Sequence, residues 1–337
     1  MARLQTHALV LSSVLVACSS QSTTRPAVTH STVSAPAVRS VPPSASPTRD
    51  APAPLEVAIT IDDLPVHGPA FTGIDRSKIA DQFLTAFRAH RVPAVYGFVN
   101  GKGVDDDAST LAILKRWVAA GHPLGNHTYS HVSLNDLAPS AYLADLEQGE
   151  LILEKLLPGD PSWKFFRYPF LFEGNTLEKY DAVRRYLVTH HYRIADVTIG
   201  SEDWLWNPVF ARCSDQHNVR ALADLQRGLV QAHVNELRYM RELTRLLTGR
   251  DVKHVLLLHI GAASAAAVSP LLAAFENEGV RWIDLPTALS DPFYAAAPRA
   301  AYRFGAALPY RVARARGVKL PPVPDRAAQE ALPGTCP

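Results

Sequence analysis

From residue 55 onward, seven short runs rich in β-branched or aromatic residues recur along the chain: 57–61 (VAITI), 94–99 (AVYGFV), 123–127 (PLGNH), 164–168 (KFFRY), 192–199 (YRIADVTI), 254–259 (HVLLLH) and 280–285 (VRWIDL). Each has the length and composition of a strand. Between them, apolar positions recur three or four apart. Ile79, Phe83 and Phe87 share one helical face, as do Leu111, Leu114 and Val118, and Leu143, Leu146 and Ile152 line a third. Strands that are apolar throughout, alternating with amphipathic helices, predict a parallel sheet covered by helices. An open doubly wound sheet and a closed barrel both satisfy the pattern, and the expectation taken forward is an α/β barrel of seven parallel strands with outer helices. Residues 215–249 read as one helical insertion, with Leu222, Leu225, Leu229, Leu237, Met240 and Leu247 as a packing stripe.

The first 54 residues follow a different pattern. Residues 1–18 carry Arg3 and then the apolar run HALVLSSVLVAC, too short to stay in a bilayer as a spanning helix and typical of a secretory signal. Cys18 follows Leu15, Val16 and Ala17, which resembles the lipobox of bacterial lipoproteins. That resemblance implies lipidation of Cys18, an anchor in the cell envelope and, with Ser19 next, the outer membrane facing the periplasm where the cell has one. Residues 19–54, mostly Ser, Thr, Pro, Ala and Val without an aromatic, cannot bury a core and read as a tether.

The remainder is long enough for one large α/β domain or two small ones. A hydrophobic fraction of 47% suits a buried core, and a net charge of +2 excludes the strong positive field that nucleic-acid binding requires. A monomer is expected. With Cys18 acylated, Cys213 and Cys336 remain as an even pair in an oxidising compartment; whether they bridge and pin the C-terminal tail is left open by spacing alone.

Polar residues collect where the expected strands end: Asp62 and Asp63, His127 and His131, Arg167, Asp203 with Trp204, and His259. In parallel α/β folds that carboxyl face is where chemistry sits. His127 and His131, four apart on a helical turn or tight loop, can present both imidazoles to one side, and a carboxylate from elsewhere would complete a two-His, one-carboxylate metal site with open positions. Taken singly, an Asp pair is a common solvated cap and a His pair at this spacing arises by chance. Their joint placement on one face favours the site.

The motifs TIDDLP, HTYSH, RYPF, SEDW and LLLH, in that order and joined by YGFVNG at 96–101, resemble those of the polysaccharide deacetylase family, also called the NodB homology domain or carbohydrate esterase family four. The resemblance spans residues 55–290 and leaves 291–337 as a tail. It implies a distorted (β/α) barrel of seven strands that removes N-acetyl groups from amino sugars with a divalent metal, usually Zn2+, with Co2+, Ni2+ or Fe2+ as alternatives. By position, Asp63, His127 and His131 are the implied ligands and Asp62 the base. Arg167 steadies Asp62, the backbone N–H of Phe170 helps form an oxyanion hole, and His259, oriented by Asp203, is the acid. A cation near each carboxylate also explains how two adjacent acids remain charged. The implied reaction is attack of metal-activated water on an acetyl carbonyl, with Asp62 taking a proton and His259 giving one to the leaving nitrogen.

The chain departs from the family pattern at Leu64, where Gly is usual, at Phe170, where Tyr is usual, and at Gly200, where Asp is usual. These residues belong to the rim, so the substrate is the least determined feature. Tyr168, Phe170, Phe172, Trp204 and Trp206 form a candidate platform for sugar faces, with Trp204 expected to be the buried one, and His67 is a further candidate for the site. Arg311, Arg314, Arg316 and Lys319 are expected on a solvated tail, able to rest on anionic polymer. The expected partner is an acetylated glycan: peptidoglycan, a chitin-type oligomer or an exopolysaccharide. The competing readings are an esterase for O-acetyl sugars and a lipid-anchored glycan-binding protein without turnover.

Overall fold

The computed structural model describes residues 54–68, 75–200 and 202–337. The signal, Cys18 and nearly all of the tether expected from the sequence lie outside the described residues.

Eight strands form one parallel sheet: β1 Leu55–Leu64, β2 Tyr96–Val99, β3 Leu124–Asn126, β4 Phe165–Phe166, β5 Arg193–Ile194, β6 Ile199–Gly200, β7 His254–His259 and β8 Val280–Ile283. Their order is β5-β4-β3-β2-β1-β7-β6, with β8 paired to β1. β1 is the axis of the sheet. Along one edge it pairs with β7 from Val57 to Asp62; along the other it pairs first with β8, from Leu55 to Ala58, and then with β2, from Thr60 to Leu64. Nine of its ten residues are buried, which accounts for a run of apolar residues without alternation.

The seven expected strand segments are all present, but 192–199 is two strands. Arg193 and Ile194 pair with β4, whereas Ile199 and Gly200 pair with β7 at the opposite end of the sheet. The amides of Ala195 and Thr198 continue these ladders by donating to the carbonyls of Phe166 at 2.8 Å and Val255 at 3.1 Å. One stretch of chain thus joins the two outermost strands and curls the sheet into a distorted barrel. Short paired stretches with a bend between them have the same composition as one long strand, which is why the pattern did not separate them.

Helices cover the outside. In Arg76–Ala89, Ile79, Phe83 and Phe87 face the core, and the Asp75 side chain caps the N-terminus by accepting from the amides of Ser77 and Lys78. Full burial of side chains such as Phe83, Phe87 and Trp117 stabilises the fold by roughly 1.5–3 kcal/mol each. The expected insertion at 215–249 is the helix Val219–Thr248, capped by Asn218 and ended by Gly249 at φ 75°. It is the connection from β6 to the parallel β7, so it belongs to the barrel and is no addition to it. Leu225, Leu229, Leu237 and Met240 are its buried stripe.

Residues 291–337 correct the expectation of a tail, because they belong to the same compact unit as the sheet. Leu308 and Val312 are buried, and the Leu308 amide donates to the Val197 carbonyl at 2.7 Å, between β5 and β6. Arg311 is not solvated: it is 4% exposed and ion-paired to Glu173 and Asp196. A guanidinium becomes buried here because two carboxylates offset its desolvation. Cys213 and Cys336 are disulfide-bonded with Cα atoms 5.3 Å apart, fastening the C-terminus to the helix Trp206–Asp215. Among the described residues no helix is long and apolar enough to cross a membrane.

Candidate active site

The adjacent acids Asp62 and Asp63 end the central strand. Pleating sends successive strand side chains to opposite faces, yet both carboxylates line one cleft. The backbone supplies the reason: the β1–β2 register shifts between Ile61 and Leu64, and Asp63 adopts a left-handed φ of 65°. Such a conformation costs a non-glycine residue about 1–3 kcal/mol and is kept where surrounding structure enforces it. Asp62 is directly opposite His259 in the β1–β7 ladder.

Arg167, just past β4, is buried behind Asp62. Its Nη1 donates to both Asp62 oxygens at 3.1 Å, its Nη2 donates to Thr60 Oγ1 at 3.1 Å and its Nε donates to the Ala195 carbonyl at 2.6 Å. The guanidinium also lies 4.7 Å above the Phe98 ring. Four hydrogen bonds and a ring face fix it, so Asp62 is held by a partner that cannot move away.

His127 and His131 sit on a tight loop after β3, with Thr128 and His131 at φ 64° and 56°. The loop is held from outside. Asp145, on the helix Pro139–Leu156, accepts from the Ser130 amide at 3.0 Å and the Ser130 hydroxyl at 2.5 Å, and the Asn100 side chain donates to the His127 carbonyl at 2.6 Å. Gly149 on the same helix allows this approach, because a Cβ there would lie 3.0 Å from Asn126 Oδ1 and 3.1 Å from the Thr128 backbone. His127 Nδ1 lies 2.8 Å from the Arg167 carbonyl and can only donate to it, which leaves Nε2 as the lone-pair nitrogen facing the cleft.

Three donor atoms then converge. One oxygen of Asp63 and one ring nitrogen each of His127 and His131 lie within 4.8 Å of one another. Asp63 Oδ1 is 3.4 Å from His127 Nε2 and 3.3 Å from His131 Nε2, yet it is buried without a hydrogen-bond partner. Donors about 2.0–2.1 Å from a common centre at tetrahedral angles are separated by about 3.3–3.4 Å. The orphaned oxygen, the spacing and the mixed nitrogen and oxygen chemistry fit a divalent cation. Burial opposes ionisation of Asp63, but the imidazoles of His127, His67, His131 and His259 around it hold its carboxyl well below the usual range. Burial pulls His131 down to about 4, against the attraction of Asp63, leaving its ring neutral at pH 7.

On the opposite side, His259 Nδ1 is 2.7 Å from Asp203 Oδ1, while Asp203 Oδ2 accepts from the His259 amide at 2.9 Å and the Ser264 hydroxyl at 2.5 Å. Burial disfavours a charged His259, but the Asp203 carboxylate, aided by Asp63 and Asp62, outweighs it and raises the imidazole to about 9. Asp203, fully buried, is lowered to about 2 despite its burial, chiefly by the charge of His259.

Asp62, Asp63, His67, His127, His131 and His259 line a cleft of about 540 Å3, walled by Phe170, Phe172, Trp204 and Phe304. His67 belongs to it, with Nδ1 2.6 Å from Asp63 Oδ2 and its ring 5.0 Å from that of His259. Phe170, at φ 57°, lies against the His131 ring at 4.4 Å. Three expectations about the platform are corrected. Tyr168 is in the core, stacked on Tyr142; Trp206 is buried against Val209 and Leu225; and Trp204, expected to be buried, is 45% exposed at the cleft. Sequence reasoning also missed Thr60, Asp145, Ser264 and Phe304. The only available signal of this kind was Gly149, a glycine inside a helical pattern.

Residues 50–187 match the family model for polysaccharide deacetylase. That segment is similar to the polysaccharide deacetylase family. It is 29% identical over 149 residues to a peptidoglycan-N-acetylglucosamine deacetylase of Bacillus cereus, covering 44% of this chain and 46% of that protein. It is 25% identical over 148 residues to a chitin deacetylase of Arthroderma benhamiae, covering 44% of this chain and 35% of that protein. The chain therefore spans less than half the length of the curated relatives it matches. Among solved structures, a peptidoglycan deacetylase from Bacillus subtilis superimposes with a TM-score of 0.46 at 20% identity, over 71% of this chain and 91% of that one. Asp62, Asp63, His127, His131 and Arg167 fall inside the matched segment, whereas Asp203 and His259 lie beyond residue 187.

Proposed function

We propose that the protein is a metal-dependent hydrolase that removes N-acetyl groups from the amino sugars of a glycan such as peptidoglycan, a chitin-type oligomer or an exopolysaccharide. The observation that carries this reading is the buried, unpartnered Asp63 Oδ1 facing two imidazole nitrogens, in the same cleft as Asp62 and His259. Asp63, His127 and His131 would hold the ion, with Zn2+ favoured by a donor set of two nitrogens and one oxygen. When bound, such an ion supplies Lewis acidity, polarising an acyl oxygen and acidifying water.

The protein's own groups then have distinct work. Asp62 accepts a proton from the attacking water, its negative charge balanced by Arg167 and its position fixed by that residue's four hydrogen bonds. The backbone N–H of Phe170, a residue of the cleft wall, would help to hold the developing oxyanion, a type of donor worth about 3–4 kcal/mol in other hydrolases. His259, kept cationic by Asp203, gives its Nε2 proton to the leaving nitrogen. This last step favours amide over ester cleavage, since an amine must be protonated to depart and an alkoxide on a sugar needs less help. A binding protein without turnover would gain nothing from a charged acid poised opposite a base.

The reading also places the protein outside the cytoplasm on a lipid attached to Cys18, supported by the pattern of residues 1–18. Acetate release from N-acetylated and O-acetylated glycans, with and without chelator and beside Asp62→Asn, tests the chemistry. Chelator-sensitive release from N-acetylated glycans, lost in D62N, is expected. Release that survives chelation would overturn the metal assignment, and release by D62N at full rate would overturn the base.

A further inference from the structure

The cleft adjoins a second cavity. Phe304 and Gly305, on the outer wall of the first, also line a neighbouring cavity of about 360 Å3 with Tyr302, Tyr310, Arg314, Val318 and Leu320. All of these residues lie in the C-terminal segment, beyond the part of the chain that matches the family. The wall between the two cavities is rigid. Gly305 packs so closely on Phe170 that a Cβ would sit 1.8 Å from its carbonyl oxygen, the Tyr302 amide donates to the Gly174 carbonyl at 3.0 Å, and the Asn135 side chain donates to the Arg303 carbonyl at 3.0 Å.

Large apolar side chains are left in water here. Phe170 and Trp204 in the first cavity, Phe304 at the shared wall and Leu320 in the second are 52%, 45%, 78% and 44% exposed. Contiguous exposed apolar surface of this kind marks a ligand surface, and rings with aliphatic neighbours suit the C–H faces of sugars. The charge differs between the two cavities. Among the described residues no carboxylate lines the second one, and Arg311 is neutralised by Glu173 and Asp196. Arg314 is exposed, lies over the Tyr302 ring at 5.6 Å and makes no ion pair among the described residues. An unpaired guanidinium propped on a ring is prepared for a carboxylate.

We infer that the second cavity is a distal subsite for the same glycan and receives a carboxylate-bearing sugar. Resting on the deacetylase reading, this makes the substrate an acidic amino-sugar polymer with lactyl or uronic carboxylates, in preference to a neutral chitin-type chain. Initial rates of acetate release test it, with wild type, Arg314→Ala, Arg314→Lys and Leu320→Ala acting on three probes: chitobiose, chitotetraose, and the tetrasaccharide of alternating N-acetylglucosamine and N-acetylmuramic acid. Arg314→Ala should lower kcat/KM on the acidic tetrasaccharide about tenfold more than on chitotetraose, with Arg314→Lys recovering part of the loss. Leu320→Ala should lower both tetrasaccharides more than the disaccharide. Equal effects of Arg314→Ala on the acidic and neutral tetrasaccharides would overturn the subsite. If wild type releases acetate from none of the three, the deacetylase reading fails separately. Calorimetric binding of the acidic tetrasaccharide then decides the subsite: weaker binding to Arg314→Ala supports it and equal binding overturns it.

Discussion

Replacing Asp203 with asparagine tests the acid half of the site with little change of shape. In the native protein His259 is raised from 6.5 to about 9, which corresponds to roughly 3 kcal/mol of preference for the imidazolium. Burial acts in the opposite direction, so the preference comes from Asp203 at 2.7 Å, with smaller contributions from Asp63 and Asp62. The amide in D203N would keep a hydrogen-bonding side chain but no charge, and His259 should then titrate near or below its ordinary value. At pH 8 the protonated fraction falls from about nine-tenths to about one-thirtieth, a loss of roughly thirtyfold in acid catalysis. NMR titration of the His259 ring in chelated protein measures the first change, and the basic limb of the kcat/KM profile on an N-acetylated glycan measures the second. Stability carries the same signature. A raised folded-state value means that the contact stabilises fully below pH 6.5 and is lost as pH rises through about 9, so wild type should weaken over that interval and D203N should not. A folded D203N protein whose basic limb stays within about half a pH unit of wild type would show that Asp203 does not charge His259.

Three further outcomes are expected. Arg167→Met should leave the buried Asp62 uncompensated and destabilise the fold by about 3–5 kcal/mol, read by denaturant unfolding, with acetate release lost even under conditions where the variant is folded. His67→Ala removes the 2.6 Å contact on Asp63 Oδ2 and should weaken Zn2+ affinity about ten- to a hundredfold, measured by competition with a chromogenic chelator. Opening the Cys213–Cys336 bridge, which spans 123 residues, should cost up to about 5 kcal/mol of stability in the chain-entropy description, seen as a lower Tm for the Cys213→Ser, Cys336→Ser double variant.

The polar residues of the candidate site were legible because they interrupt the ends of apolar runs, where a parallel fold puts its active face. Asp62, Asp63, His127, His131, Arg167, Asp203 and His259 all meet around one cleft for that reason. Aromatic residues were less legible, since Tyr168, Trp204 and Trp206 have no periodicity strong enough to say which face each ring takes. One is stacked in the core, one is exposed, and one packs beneath the helix Val219–Thr248. The groups that hold the site were invisible for a different reason. Asp145 acts on Ser130 fifteen positions away, and Ser264 reaches Asp203 across 61, and only the three-dimensional fold brings them together. The C-terminal segment was misjudged because its basic residues look solvated until Glu173 and Asp196 are known to face Arg311.

Asp62 and Asp63 are joined by a single peptide unit, so the spacing of their backbones is set by covalent geometry. The gap across to His259 is set by the ladder between β1 and β7 and by Asp203, which holds the His259 ring and amide. Under the proposed mechanism, shear between those two strands would therefore alter departure of the amine more than attack of water.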